Sequence, residues 1–261
     1  MTADCETPAA PDARHAVRRL RDARVAASTR PYLGRGGAPG RCDRCRLFAG
    51  QCVCALTPEP SDTRAGVCLF MGSLESFKPS NTGWLIADAV ADTWAFGWSR
   101  TEPDPAALAL LADPAWAPVV VFPTEFAAPA RAVDSWPPAE PAPGPAGRRP
   151  LFVLLDGTWS EARKMFNKSP YLDALPVLGL HPDHPSAYRL RRARREGHLC
   201  TAEVAALCLA QAGDERAAHT LAAWLDVFTH HYLCGKQCQR PDLDSPAHAR
   251  LGALRGAADA P

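Results

Sequence analysis

The stretch Leu151-Phe-Val-Leu-Leu-Asp156-Gly157-Thr158-Trp159-Ser160-Glu161 decides the fold class. Five consecutive apolar residues, with no polar residue between them, predict a strand covered on both faces. Asp156-Gly157 turns the chain. Thr158 then stands three residues before Glu161, the spacing of a capping box, and this predicts a helix from Trp159 to about Asn167. A doubly buried strand running straight into a capped helix is half of a βα unit, which belongs to a mainly parallel α/β sheet.

The flanking sequence repeats this grammar. Val67–Met71 is a second short apolar run, followed by the loop Gly72–Gly83 and a helix over Trp84–Val90. Val119–Phe122 is a strand ended by Pro123. Ser186–Arg191 is read as another strand, and Thr201 caps a helix through about Gln211. In residues 216–233, Leu221, Trp224, Leu225, Phe228 and Tyr232 share one helical face. Eight prolines between Pro123 and Pro150 predict an extended loop there, with residues 129–150 an insertion outside the core. Residues 1–38 read as a mobile Arg/Ala-rich tail in which Arg18–Ala27 forms a short basic helix, 39–60 as a cysteine knuckle, 61–240 as the α/β domain and 241–261 as a C-terminal tail.

Composition narrows the function classes. Of 261 residues, 47% are hydrophobic and 22% charged, enough apolar material for a sizeable core and against a disordered chain. No apolar run approaches the ~20 residues that span a bilayer, so no membrane partner is expected. The N-terminus has no apolar signal region, which points to the cytoplasm. Net charge is only +1, but arginines cluster at Arg14–Arg30 and Arg189–Arg195, patches able to steer a nucleic acid.

Ten cysteines in a chain without an export signal argue for metal ligands over disulfides. Cys42-x2-Cys45-x6-Cys52-x-Cys54 places four thiolates close enough to surround one structural Zn²⁺. Cys68 and Cys208 read as small core residues. His230, His231, Cys234 and Cys238 read as a helix end with two free thiols, since the adjacent histidines leave the helix on different faces.

The Asp156 junction can carry chemistry of its own. Ligands of open α/β sheets bind beyond the carboxyl ends of strands. The helix N-terminus after Gly157 offers amides to a carboxylate. Trp159 either covers an aromatic ligand or packs, and Asp156 either meets a ligand or helps to cap the helix.

LFVLLDGTWSEARKM resembles the signature of the DTW-domain family, named for its Asp-x-Thr-Trp motif. Cys42–Cys54 is similar to that family's zinc-binding cluster, and Glu75–Gly83 to its Glu-then-Asn-Thr-Gly loop. Phe122-Pro123 resembles its Phe-Pro after a strand. Tyr188–Arg191 and Leu199–Ala205 resemble its Arg-rich strand and Leu-Ser-Thr-x-Glu-Ala segment. Three features depart from the pattern. Gly72-Ser73 stand where His-Pro is usual, Cys200 stands where Ser is usual, and 129–150 is inserted.

The resemblance implies a SPOUT-like fold, a knotted Rossmann-like α/β sheet. It implies transfer of the 3-amino-3-carboxypropyl group of S-adenosylmethionine to N3 of a tRNA uridine, with methylthioadenosine released. Asp156 becomes the candidate base, with binding of the donor's ammonium or bracing of a loop as its other roles. Gly157, Thr158, Trp159, Pro123, Thr124, Leu199, Cys200 and Thr201 are expected to line the donor pocket. Asn81, Thr82 and Gly83 either join them or hold the tRNA backbone. Arg163, Lys164, Arg189, Arg191 and Arg192 are expected on tRNA phosphates, and Glu203 is a further catalytic candidate. The knuckle clamps a tRNA arm or holds the N-terminus, and no protein partner is implied. The rival readings are a methyltransferase using the same donor, the same transfer onto ribosomal RNA, and a non-catalytic zinc-bearing RNA-binding module.

Overall fold

The strand read from Leu151–Leu155 extends to Arg149–Asp156 (β5) and runs through the middle of a six-stranded, wholly parallel sheet. The other strands are Gly66–Met71 (β1), Thr93–Gly97 (β2), Trp116–Val121 (β3), Ala132–Val133 (β4) and Val177–Leu178 (β6), in the order β2-β1-β5-β3-β6-β4. The computed structural model describes residues 15–30, 40–136, 147–180 and 199–256. Register pairs Met71 with Asp156, so β1 and β5 end together.

Alternation along the strands builds two cores. Val67, Leu69, Met71, Val119, Val121, Phe152 and Leu154 face one side. There they meet the helices Ala16–Ala27 (α1), Gly83–Ala89 (α2), Thr201–Gln211 (α5), Glu215–Lys236 (α6) and Pro246–Gly256 (α7). Cys68, Phe70, Val120, Leu151 and Val153 face the other side, against Pro105–Ala112 (α3) and Trp159–Asn167 (α4). Full burial of such side chains contributes ~1.5–3 kcal/mol each, which is why uninterrupted apolar runs settle at the centre of the sheet.

Helix α4 has the expected limits and capping box, and α5 ends at Gln211 as expected, but its cap is Cys200, not Thr201, whose hydroxyl is turned to Asp156. Several other readings are corrected. Residues 16–27 are no tail: Val17 is buried, and the His15 ring lies 4.9 Å from that of Trp84 with Nε2 3.3 Å from Asp88. The C-terminal segment likewise packs, with α7 burying Leu251 against α6. Ala132–Val133 of the proline-rich stretch pairs in the sheet, and Trp136 is buried. Local polarity hid all three, because each buries only one or two side chains. Strand β2 and the two-residue strands carry no strong period and are legible only in three dimensions, whereas α3, missed in the sequence, opens on Asp104-Pro105, an N-cap followed by proline at the first helical position. The expected strand Ser186–Arg191 lies outside the described residues.

Candidate active site

Strand β1 leads through α2 to β2 on one side, and β5 leads through α4 to β6 on the other. The side on which the next strand is laid down therefore reverses between the adjacent parallel strands β1 and β5. At such a reversal the two following loops part and leave a crevice at the strand ends. Three segments converge there: the loop after β1, the turn after β5 and the first turn of α5.

Asp156 joins them. Its Oδ2 accepts from Asn81 Nδ2 at 2.6 Å, and its Oδ1 accepts from Thr201 Oγ1 at 2.7 Å. Glu75, which is 0% exposed, also accepts from Asn81 Nδ2 at 3.2 Å and pairs with Lys78 Nζ. One amide thus bridges two buried carboxylates, an arrangement that rigidifies when its polar groups are paired. Thr82 Oγ1 accepts from the Ala202 amide at 3.3 Å. A Cβ at Gly83 would sit 2.9 Å from Asp156 Oδ2, so glycine is required for the loop to close over the carboxylate.

A base or a donor ligand needs an oxygen facing its target. Asp156 is 1% exposed and each of its oxygens already accepts a hydrogen bond, an arrangement that braces the loops around it. Asn81 and Thr82 are buried as well, and their side chains bond to Asp156, Glu75 and the Ala202 amide. Glu203 closes the capping box of α5, its Oε2 accepting from the Cys200 amide at 2.7 Å, a structural use of that carboxylate. Burial raises the Cys200 thiol above its ordinary range, so it stays protonated.

Two arginines grip the loop after β1 from outside the sheet. Arg46, in the cysteine knuckle and at φ 67°, donates from Nη1 to the carbonyls of Asn81 at 3.0 Å and Lys78 at 3.3 Å. Its guanidinium also lies over the Trp84 ring at 4.5 Å. Arg24 of α1 holds the beginning of the same loop, donating to the carbonyls of Met71 at 3.1 Å and Gly72 at 3.0 Å. Neither was singled out in the sequence, because a basic run reads as a solvated face.

The neighbouring half of the edge is open. Trp159 is 37% exposed, and its ring stacks on Phe122 at 5.4 Å and 3°. Phe126 stands across it at 5.8 Å. Exposed Arg163 and Lys164 lie over Phe126 and Trp98 at 4.9 and 5.6 Å. Gly157 and Thr158 lie between the two halves, while Pro123 and Thr124 follow β3 next to Phe122. Leu199, Cys200 and Thr201 are half-buried at the start of α5. Arg189, Arg191 and Arg192 lie outside the described residues.

Cys42, Cys45, Cys52 and Cys54 place their sulfurs within 4.8 Å of one another. The pairs Cys42–Cys54 and Cys45–Cys52 lie 3.4 and 3.7 Å apart, too long for a disulfide at about 2.05 Å and near the ~3.8 Å edge of a tetrahedral Zn–thiolate centre. Cys42, Cys45 and Cys52 push the Cys54 thiol up, so full ionisation of all four needs a cation among them. The four can hold a metal ion. No helix among the described residues is long and apolar enough to cross a membrane.

The DTW domain model matches residues 40–233, from the knuckle through α6. This chain belongs to the DTW domain family. Over 59 residues it is 42% identical to the Drosophila melanogaster protein named tRNA-uridine aminocarboxypropyltransferase 2, a match covering 23% of this chain and 24% of that protein. No solved structure matches. The DTW motif itself, Asp156 to Trp159, spans the boundary between the sealed and open halves of the edge. Its first residue braces and its last offers a face.

Proposed function

We propose that this DTW protein transfers the 3-amino-3-carboxypropyl group of S-adenosylmethionine to N3 of a uridine in tRNA, in the cytoplasm. In the step, the new bond forms between uridine N3 and the donor's γ-carbon as the carbon–sulfur bond breaks. Sulfur keeps the bonding pair and leaves as methylthioadenosine, and the N3 proton goes to solvent. The sulfonium is an activated leaving group, so the protein's main task is alignment.

The observation that carries this reading is the join of Asn81, Asp156 and Thr201, from three segments of the family match, at the reversal point of the sheet. Membership in the family and the name of the Drosophila relative give the reaction class. On this reading, Asp156 and Asn81 hold the strand-end loops in place. The amides at the start of α4 receive the donor's carboxylate, and Gly157, Thr158, Pro123, Thr124 and Leu199–Thr201 surround the donor. Trp159 presents its outer face to the bound molecules, while Arg163 and Lys164 neutralise tRNA phosphates. Zinc is the ion assigned to Cys42, Cys45, Cys52 and Cys54. It ties the knuckle together, and through Arg46 the knuckle bears on the Asn81 loop.

The test is incubation of the purified full chain with unmodified tRNA and S-adenosylmethionine, followed by nucleoside mass analysis. The expected products are aminocarboxypropyl-uridine and an equal amount of methylthioadenosine. A methylated nucleoside would instead identify a methyltransferase, and product on ribosomal RNA alone would overturn the substrate. RNA binding without donor consumption would leave a non-catalytic module.

A further inference from the structure

Helix α1 precedes the region matched by the family, yet it inserts a cation beside the carboxyl ends of β1 and β2. We infer that Arg24 is a positioning residue of the active site: it fixes the beginning of the Gly72–Gly83 loop and, through it, the Glu75–Asn81–Asp156 network. The inference rests on the proposed transfer for its catalytic consequence, though not for its structural one.

The geometry is specific. Arg24 Nη1 donates to the Gly72 carbonyl and to Ser76 Oγ, both at 3.0 Å, and Nη2 donates to the Met71 carbonyl at 3.1 Å. These three acceptors flank the point where the Gly72 amide donates to the Asp156 carbonyl at 3.0 Å. Arg24 therefore clamps the same peptide junction that joins the two strand ends. Glu75 lies between the clamped residues, its amide donating to the Gly72 carbonyl at 3.1 Å. A planar fork of donors serves three acceptors at once, which a lysine ammonium on a flexible stem does less well.

The surroundings are built for this side chain. A Cβ at Gly97, the last residue of β2, would lie 3.1 Å from Arg24 Nη2. Buried Val17 and the His15–Asp88 and His15–Trp84 contacts anchor the opposite end of α1 and so aim Arg24. Burial lowers the Arg24 pKa while the charge of Asp156 raises it, as expected of a guanidinium drawn into the site beside that carboxylate. A helix serving only as a solvated basic arm needs none of these contacts.

The test compares full-length wild type, Arg24→Ala and Arg24→Lys by tRNA transfer kinetics and by amide hydrogen exchange in the absence of substrates. Arg24→Ala is expected to lower kcat by ~10-fold or more while KM for donor and tRNA moves less than ~3-fold, the signature of misalignment as opposed to lost binding. The Glu75 and Phe77 amides should exchange faster while those of α5 stay protected. Arg24→Lys, which keeps the charge with fewer aligned donors, should fall between. Wild-type kcat together with wild-type exchange in Arg24→Ala would overturn the inference, as would a kcat loss that only tracks the folded fraction by circular dichroism. If wild type itself transfers nothing to any RNA, the proposed function fails, and exchange at Glu75 and Phe77 still decides whether Arg24 holds the loop.

Discussion

At the carboxyl edge of one sheet, the end of β1 and the start of α5 are sealed, whereas the start of α4 lies open a few residues away. The sealed half concentrates buried carboxylates, an amide and hydroxyls that bond to one another, with the Asn81 Oδ1 buried and unpaired among them. The open half shows aromatic faces and cations. The contrast teaches that the acidic residue of a signature motif can hold loops together from a buried position. Buried polar groups must find partners, and here satisfying them welds three loops together. Beside the weld, Trp159, Arg163 and Lys164 remain exposed.

The contrast can be broken at several points. The largest loss is expected at the knuckle, which fixes Arg46 and hence the far end of the sealed loop. Cys52→Ser should abolish binding of one zinc per chain by native mass spectrometry and lower stability by more than ~4 kcal/mol in urea, since structural metal binding is itself folding energy. Asp156→Ala follows, because it removes the acceptor of Thr201 Oγ1 and the shorter of the two acceptors of Asn81 Nδ2, leaving that amide only Glu75. About 3 kcal/mol of stability should go by urea unfolding, together with transferase activity, since bonds to charged groups are worth ~1.5–3 kcal/mol each. Full stability in Asp156→Ala would show that the carboxylate is no brace.

A pH effect comes next, behind the knuckle. Buried His231, placed between the Gln51 carbonyl at 3.0 Å and His248 Nε2 at 2.9 Å, has its pKa lowered to about 4 by burial. The fold thus holds the neutral ring, while the unfolded chain takes up a proton near the ordinary value of ~6.5. Its stabilising contribution is complete above that value and is lost as pH falls from there toward about 4. Urea midpoints across that range should fall in wild type and fall less in His231→Gln.

The open half should behave in the opposite way. Trp159→Ala removes one ring from a stack and should cost ~1 kcal/mol of stability, with a larger proportional loss of tRNA affinity. Arg163→Ala with Lys164→Ala should shift stability by less than ~0.5 kcal/mol. The same pair should weaken tRNA binding uniformly and flatten its salt dependence by ~1–2 in slope. A strong stability loss in that pair would make those cations structural and erase the contrast.

Much of this was readable before any fold was built. Runs such as Leu151–Leu155 and caps such as Thr158–Glu161 settle the βα grammar, because burial and orphan amides act on neighbours in the chain. The four-cysteine spacing carried the metal site for the same local reason. What tertiary structure alone decided was which polar residues face inward. Arg24 and Arg46 look like members of solvated basic runs, and Asp156 looks like a candidate base at an open strand end, until the loop after β1 folds over the end of β5. Desolvation and hydrogen-bond pairing depend on which distant segments arrive together, and no window along the chain contains that information.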